Sequence, residues 1–308
     1  MTFTFGTDPE FMLRDKHNNY VSAIRVLPSK ASPIAVGSGH AYYDNVMAEL
    51  SIEPAKTRDM AIWNIRKTIG CARDACRGLE LVCQASQEYP ESELEHPEAK
   101  VVGCSPEMDA YDMQAHAPDA ASFANTRLRT AGGHVHLGSP IIQEVGYYPV
   151  VHMLDLFLGL PCIALDTDPT SPKRRKLYGN AGRFRITSYG LEYRSIGNFW
   201  LQNVNAIGVV YDICEFVLEY CANGRNKRLW EYDYSTLQQD INNEEDIIPT
   251  KYQKCIGYDL PNVVEAINNH TDINLNSEIA DLVEKDMPFG IGLQIRTLYE
   301  DMRRTSRI

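Results

Sequence analysis

Residues 132–138, GGHVHLG, place two histidines, His134 and His136, one residue apart between glycines. Successive side chains of a β-strand point to opposite faces, so an HxH strand sends both imidazoles into one space. The flanking glycines permit close backbone approach there. The same spacing recurs at Asp8/Glu10, Arg183/Arg185 and Glu192/Arg194, each inside a strand-like run. Carboxylates, imidazoles and guanidiniums on one sheet face make a poor core. They make a good place to hold a metal and a polyanion.

Working outward, Arg127-Leu128-Arg129 leads into the HxH strand, and a helical run follows over 150–165. After the turn DTDPTSPKRR the chain passes through LYGNAGRFR and YGLEYR into a helix expected over about 199–220. Towards the N-terminus a first strand is expected over 2–11, a loop rich in Ser, Pro and Gly over 28–39, and a second strand over 44–52, stopped by Pro54. Thr57 can cap a long helix whose stripe is Ile62, Ile65, Ile69, Ala72, Cys76 and Leu79, with Gly78 near its end. Segment 87–99 is polar and acidic and reads as an exposed loop, followed by a short strand at Val101 and Val102 and an irregular stretch to Arg127. Helical pieces are expected over 260–267 and 278–284. Strands precede and follow helices without strict alternation, which favours an α+β fold with a mixed or antiparallel sheet and helices stacked on one face.

The 308 residues suffice for one large domain or two small ones, and 44% apolar content is that of a packed protein. No run approaches the ~18 apolar residues of a membrane span, and MTFTFGTDPEF lacks the blocks of a signal peptide, so the expected location is the cytoplasm. A net charge of -11 argues against sequence-independent binding to nucleic acid or to an anionic membrane. The arginine clusters must serve something local. Eight cysteines form no CxxC pair and read as reduced thiols. Cys104, in VVGCSPEMD, is the one in a turn-like polar setting, and no base for a nucleophile is identifiable beside it.

Glu49, Ser51 and Glu53 repeat the acidic face of Asp8 and Glu10 on the second strand, with Leu50 and Ile52 pointing away. The usual reading of such carboxylates is an exposed face, but two acidic faces in one chain reinforce each other. Zinc favours nitrogen and sulfur ligands, whereas many carboxylates with one or two histidines suit Mg²⁺ or Mn²⁺. Arg174, Arg175, Arg183, Arg185 and Arg194 are interleaved with Tyr178 and glycines, and guanidiniums match phosphate or carboxylate bidentately, which favours an anion pocket. No GxxxxGK[ST], GxGxxG, GxSxG or HExxH is present, so P-loop, Rossmann, serine-hydrolase and zincin readings lack support. The match of Asn269-His270-Thr271 to a glycosylation acceptor is empty for a cytoplasmic chain.

Together TDPEF (7–11), the Glu49 strand, GGHVHLG and RRKLYGNAGRFRITSYGLEYR (174–194) resemble, in that order, the carboxylate-amine ligases of the glutamine synthetase and glutamate-cysteine ligase superfamily. The match is closest to the phage-associated COOH-NH2 amidoligases and covers roughly residues 2–220. The resemblance implies a catalytic core over 1–225, a curved, mainly antiparallel sheet around a funnel with helices outside, and a mainly helical extension over 226–308 packed on the same domain. It implies ATP and Mg²⁺, or Mn²⁺, as cofactors. Asp8, Glu10, Glu49, His134 and Glu192 resemble the metal ligands, with Glu53 a further acidic group. Arg194 resembles the arginine on the transferred phosphoryl group, assisted by Arg185, while His136, Arg175, Arg183 and Arg129 would hold nucleotide, phosphates or substrate carboxylate. Asp8 departs from the Glu of glutamine synthetases and reaches one methylene less.

The residue types fit this chemistry independently. A carboxylate is inert to amines until its oxygen becomes a leaving group, which an acyl phosphate supplies, and phosphoryl transfer is catalysed by positioning and charge cancellation. The alternatives are a zinc-dependent hydrolase using the HxH pair, and an inactive binding protein on the same scaffold. The expected partners are a small-molecule or peptide carboxylate and an amine, and self-association into a homo-oligomer is open.

Overall fold

The computed structural model describes residues 3–101, 106–117, 126–224, 226 and 236–243, the side chains of residues 164 and 205 apart. Cys104, Cys255, the segments 260–267 and 278–284, the acceptor at 269–271 and nearly all of the 226–308 extension lie outside the described residues, as do Val102 and Thr2. The described strands are β1 (Thr4–Thr7), β2 (Glu10–Arg14), β3 (Tyr20–Val21), β4 (Ile34–Ala35), β5 (Gly39–Asp44), β6 (Met47–Ala55), β7 (Glu80–Val82), β8 (Ser86–Glu88), β9 (Glu107–Asp109), β10 (Ala115–His116), β11 (Leu128–Thr130), β12 (Val135–Gly138), β13 (Arg183–Thr187) and β14 (Gly190–Tyr193). The helices are α1 (Arg58–Ala75), α2 (Pro140–Val145), α3 (Tyr147–Leu154), α4 (Leu160–Leu165), α5 (Ser171–Leu177), α6 (Val204–Ala222) and α7 (Leu237–Asn243). None of the described helices is long and apolar enough to cross a membrane.

The protein is α+β, as its sequence suggests. One sheet runs β10-β9-β13-β14-β12-β1-β6-β2-β3, with β5 also on β6, β4 on β5 and β7 on β2, and every strand pairing is antiparallel. Phe5, Thr7, Val135, Leu137, Leu191 and Tyr193 are buried on one face, where Phe5 packs against Tyr211 of α6 at 5.5 Å between ring centroids. Their neighbours in sequence, Gly6, His136 and Glu192, take the opposite face by the alternation of the strand. Thus helices fill one side of the sheet and ionisable groups the other.

Several sequence boundaries shift. The first strand is two, because Asp8 and Pro9 interrupt β1 and β2, which run consecutively along β6. The expected strand over 44–52 is instead the end of β5, a two-residue turn with Asn45 at φ 55, and β6. Pro54 lies within β6, not beyond it. There Glu53 and Pro54 oppose Gly6 alone, since Phe5 pairs with Ala55 and Thr7 with Ile52. Proline, lacking an N–H, is tolerated at such a bulge.

Helix α1 starts as expected: Thr57 Oγ1 accepts from Met60 N, and Arg77 and Gly78 follow its end with positive φ. The expected helix over 150–165 begins at Tyr147 and contains a π-helical turn, Asp155–Gly159. The expected helix over 199–220 is a 3-10 turn, Phe199–Gln202, and then α6. Segment 87–99 is no exposed loop, because Tyr89, Leu94 and Ala99 are buried with Met12, Val46, Met47 and Ala131 in a second, smaller core. Leu128–Thr130 does not run on into the HxH strand but pairs with β8 in a separate two-stranded sheet. Val101 is outside any strand, and β9 and β10 form a hairpin in the stretch read as irregular.

Candidate active site

Antiparallel register lines up the central residues. Gly6 of β1 pairs with His136 of β12, His136 with Glu192 of β14, and Glu192 with Arg185 of β13. These four stand in one row across the sheet, and Asp8, two residues beyond Gly6, adds a carboxylate to the same face. Ligand atoms of Asp8, His136 and Glu192 all lie within 4.8 Å of one another. A second group, Glu10, Asp44 and Glu49, meets the same limit. It forms because Glu10 of β2 and Tyr42 of β5 both pair with Glu49 of β6. Four of the five expected ligands, Asp8, Glu10, Glu49 and Glu192, are therefore brought together in two groups, with His136 and Asp44 as added members and His134 outside both.

The two histidines differ. His134 is buried just ahead of β12, with Nδ1 3.1 Å from Asp8 Oδ1 and 3.5 Å from Glu192 Oε1, and Nε2 3.1 Å from the Tyr178 hydroxyl. Arg194 donates to that hydroxyl in turn. The order of donors, guanidinium to phenol to imidazole to carboxylate, engages both nitrogens of His134. Burial, and then the Arg194 charge, push its pKa down to about 3, so the ring is neutral. Gly132 makes room for it, since a Cβ there would be 2.3 Å from His134 Nε2. His136 is partly exposed, with Nδ1 bonded to the Tyr189 hydroxyl and Nε2 2.9 Å from Asp8 Oδ1. That last contact lacks the alignment of a hydrogen bond and leaves buried Nε2 without one. Burial disfavours its charged form, but the Asp8 and Glu192 carboxylates together outweigh burial and raise its pKa. The geometry thus gathers His136, and not His134, with Asp8 and Glu192.

The carboxylates are strained against each other. Burial would raise Asp8, yet His136 and His134 hold it well below the ordinary range. Burial, and then the Asp8 charge, raise Glu192 to about 7 and lift Glu49 well above its usual value. Burial, and then Asp44, raise Glu10 to about 7, although Gly132 N–H donates to its Oε2 at 2.6 Å. Lys30 reaches from the 28–39 loop to place Nζ 3.1 Å from Glu49 Oε1 and 5.1 Å from the centre of the Tyr42 ring, whose hydroxyl donates to Glu49 at 2.7 Å. Excess negative charge of this kind, with a buried His136 Nε2 lacking an aligned partner, fits a divalent cation. Two oxygens and one nitrogen at the first group, and oxygens alone at the second, suit Mg²⁺ or Mn²⁺ better than zinc.

Guanidiniums border the row. Arg185 Nη1 is 3.6 Å from Glu192, and Arg183 Nε 3.3 Å from Asp109. Buried Arg194 donates to Glu192, and through Nε to Glu107 at 2.9 Å. Arg174 is buried and donates to the carbonyls of Ser195 and Arg194 at 3.1 Å. Arg175 is buried on α5, close enough to Asp166 to help hold that carboxyl down against burial. Two expected site residues fall elsewhere. Arg129 is buried in the smaller sheet and donates to Asn45 Oδ1 and to the carbonyls of Ala99, Thr126 and Leu128 at 2.7 to 3.0 Å, a structural set of partners. Glu53, at the bulge, is exposed and belongs to neither carboxylate group.

The residues that sequence reasoning missed are Asp44, Glu107, Lys30, Tyr42 and Tyr189. Glu107 carried the signal used elsewhere, since Glu107 and Asp109 are again ionisable groups two apart on a strand, and each faces one of the arginines. The others arrive through pairing and loops and leave no pattern in the chain. With this geometry in place, the model of the family described as phage phiEco32-like COOH.NH2 ligase-type 2 matches residues 121–234. The match supports the phage-type amidoligase resemblance and takes in β11 to β14, hence His134, His136, Glu192 and the arginines, but not Asp8, Glu10 or Glu49. Among curated proteins none matches the chain.

Proposed function

We propose that the protein is a carboxylate-amine ligase that uses ATP and forms its amide through an acyl phosphate, with Asp8, His136 and Glu192 holding Mg²⁺ or Mn²⁺ and Glu10, Asp44 and Glu49 a second ion. The observation that carries the reading is the row in which His136, Glu192 and Arg185 stand in register beside Asp8. A metal held there by Asp8, His136 and Glu192 would offset the negative charge of the phosphoryl group. Arg183 and Arg185 lie on the rim of that group, where a guanidinium fork matches an incoming phosphate. Arg194, gripped by Glu107, Glu192 and Tyr178, sets the charge balance beneath it. The substrate carboxylate oxygen attacks the γ-phosphorus and the bond to the ADP oxygen breaks. The amine nitrogen then attacks the acyl carbon, phosphate leaves, and the nitrogen gives up its proton. A nearby carboxylate that is not bound to metal would accept it. On this reading the sheet is of the glutamine synthetase type and curves around a funnel. The substrates are a small-molecule or peptide carboxylate and an amine, met in the cytoplasm by a chain whose net charge of -11 disfavours non-specific binding to nucleic acid or to an anionic membrane.

The test is calorimetric titration of the metal-stripped protein with ATP, with and without Mg²⁺, repeated on Glu192→Gln, followed by ADP release with acid and amine pairs. Magnesium-dependent binding, weakened at least tenfold by the substitution, is expected. ATP that fails to bind in the presence of Mg²⁺ overturns the proposal.

A further inference from the structure

Tyr189 lies in the two-residue turn between β13 and β14, where Thr187 pairs with Gly190. Its ring is not core material, being 47% exposed. Its hydroxyl nevertheless reaches His136 Nδ1, with the rings 6.0 Å apart and inclined by 32°. The turn is fixed in place by Gly190, at φ +154, where a Cβ would come 2.0 Å from the Leu137 carbonyl of the adjoining strand. No other residue can therefore stand at 190 without moving β14 from β12, and with it Glu192. The opposite neighbour of His136 in the sheet is Gly6, which offers its ring no side chain.

An imidazole has two nitrogens, and which one is free to bind a metal is set by what holds the other. Here Nε2 faces Asp8 and Glu192, and Nδ1 faces the Tyr189 phenol. We propose that Tyr189 is the positioning residue of the metal centre: its oxygen accepts from His136 Nδ1–H and so keeps the Nε2 lone pair aimed at a divalent cation shared with Asp8 and Glu192. The inference rests on the metal centre of the proposed function. It adds the residue that selects the ligating nitrogen, a role for an exposed turn that the fold itself does not require.

The test is Mn²⁺ titration, by calorimetry or by the spin signal of free Mn²⁺, on the wild type, Tyr189→Phe, His136→Ala and the double variant, with thermal midpoints of the metal-free forms alongside. Tyr189→Phe keeps the ring and is expected to leave the midpoint unchanged while weakening Mn²⁺ about tenfold. In the His136→Ala background the same change is expected to do nothing further, because the residue acts through that imidazole. Wild-type affinity in Tyr189→Phe overturns the inference and leaves the metal centre standing. Independent, additive losses in the double variant overturn it as well. A wild type that binds no Mn²⁺ overturns the metal centre itself, and this inference with it.

Discussion

Beneath the site, the π-helical turn presents Asp155 to the far side of β14, where its carboxyl is fully buried and accepts from the Tyr193 hydroxyl at 2.6 Å. Tyr193 lies between Glu192 and Arg194, so this contact anchors the strand that carries both. Burial pushes Asp155 from an ordinary 3.8 up to about 7, against the hydrogen bond from Tyr193. A carboxyl raised in the folded state binds its proton more tightly there than in the unfolded chain. Its contribution is therefore complete below pH 3.8 and is lost as pH rises through 7. At about 1.4 kcal/mol per pH unit, the loss reaches about 4 kcal/mol. Asp155→Asn stays neutral and keeps an acceptor for Tyr193, but places an amide where Oδ2 has no hydrogen-bond partner, a cost of about 1–3 kcal/mol. Urea unfolding of both proteins without metal, at pH 4 and pH 8, checks this. The wild type should be the more stable at pH 4, and its advantage should shrink by about 4 kcal/mol and reverse by pH 8. Glu10, Glu192 and Asp166 titrate in the same window, but equally in both proteins, so the difference isolates Asp155. A difference constant within about 1 kcal/mol across that range would refute the argument.

Three further outcomes follow from the site. Glu192→Gln should weaken Mn²⁺ at least tenfold yet leave the metal-free protein no less stable at pH 8, since the ionised carboxylate, raised to about 7 by burial and Asp8, disfavours the fold above that pH; unchanged affinity removes Glu192 from the centre. Gly132→Ala drives a Cβ to 2.3 Å from His134 Nε2 and should lower stability by about 1–3 kcal/mol, read by denaturation, with a wild-type midpoint contradicting the packing described. Arg129→Lys should cost about 2–4 kcal/mol of stability, because one ammonium cannot serve four acceptors, while Mn²⁺ and ATP binding per folded molecule stay unchanged; a selective loss of ATP would return Arg129 to the nucleotide.

Period-two spacing was enough to expose Arg183/Arg185 as one strand face, because alternation is a property of the backbone that any strand obeys, whereas His134 and Arg194 each lie one residue outside the strand of His136 or Glu192. Helix α1 was legible for the same kind of reason: its stripe and its Thr57 cap are local. The α+β class followed from the order of such pieces. What the chain could not show was register. His136 is grouped with Asp8 and Glu192 because β12 lies between β1 and β14, and Asp44 joins Glu10 and Glu49 because β5 folds back on β6. Arg129 looked like its neighbours in sequence, but its strand pairs with β8 and leaves the site sheet altogether. Glu53 shared the parity of Glu49 until the bulge at Pro54 turned it out to solvent. The sequence by itself determined which ionisable residue types the protein carries and in which segments, since composition and alternation are local. Only the tertiary structure decided which carboxylates come together and which histidine joins them, because strand order, bulges and turns bring together residues more than a hundred positions apart.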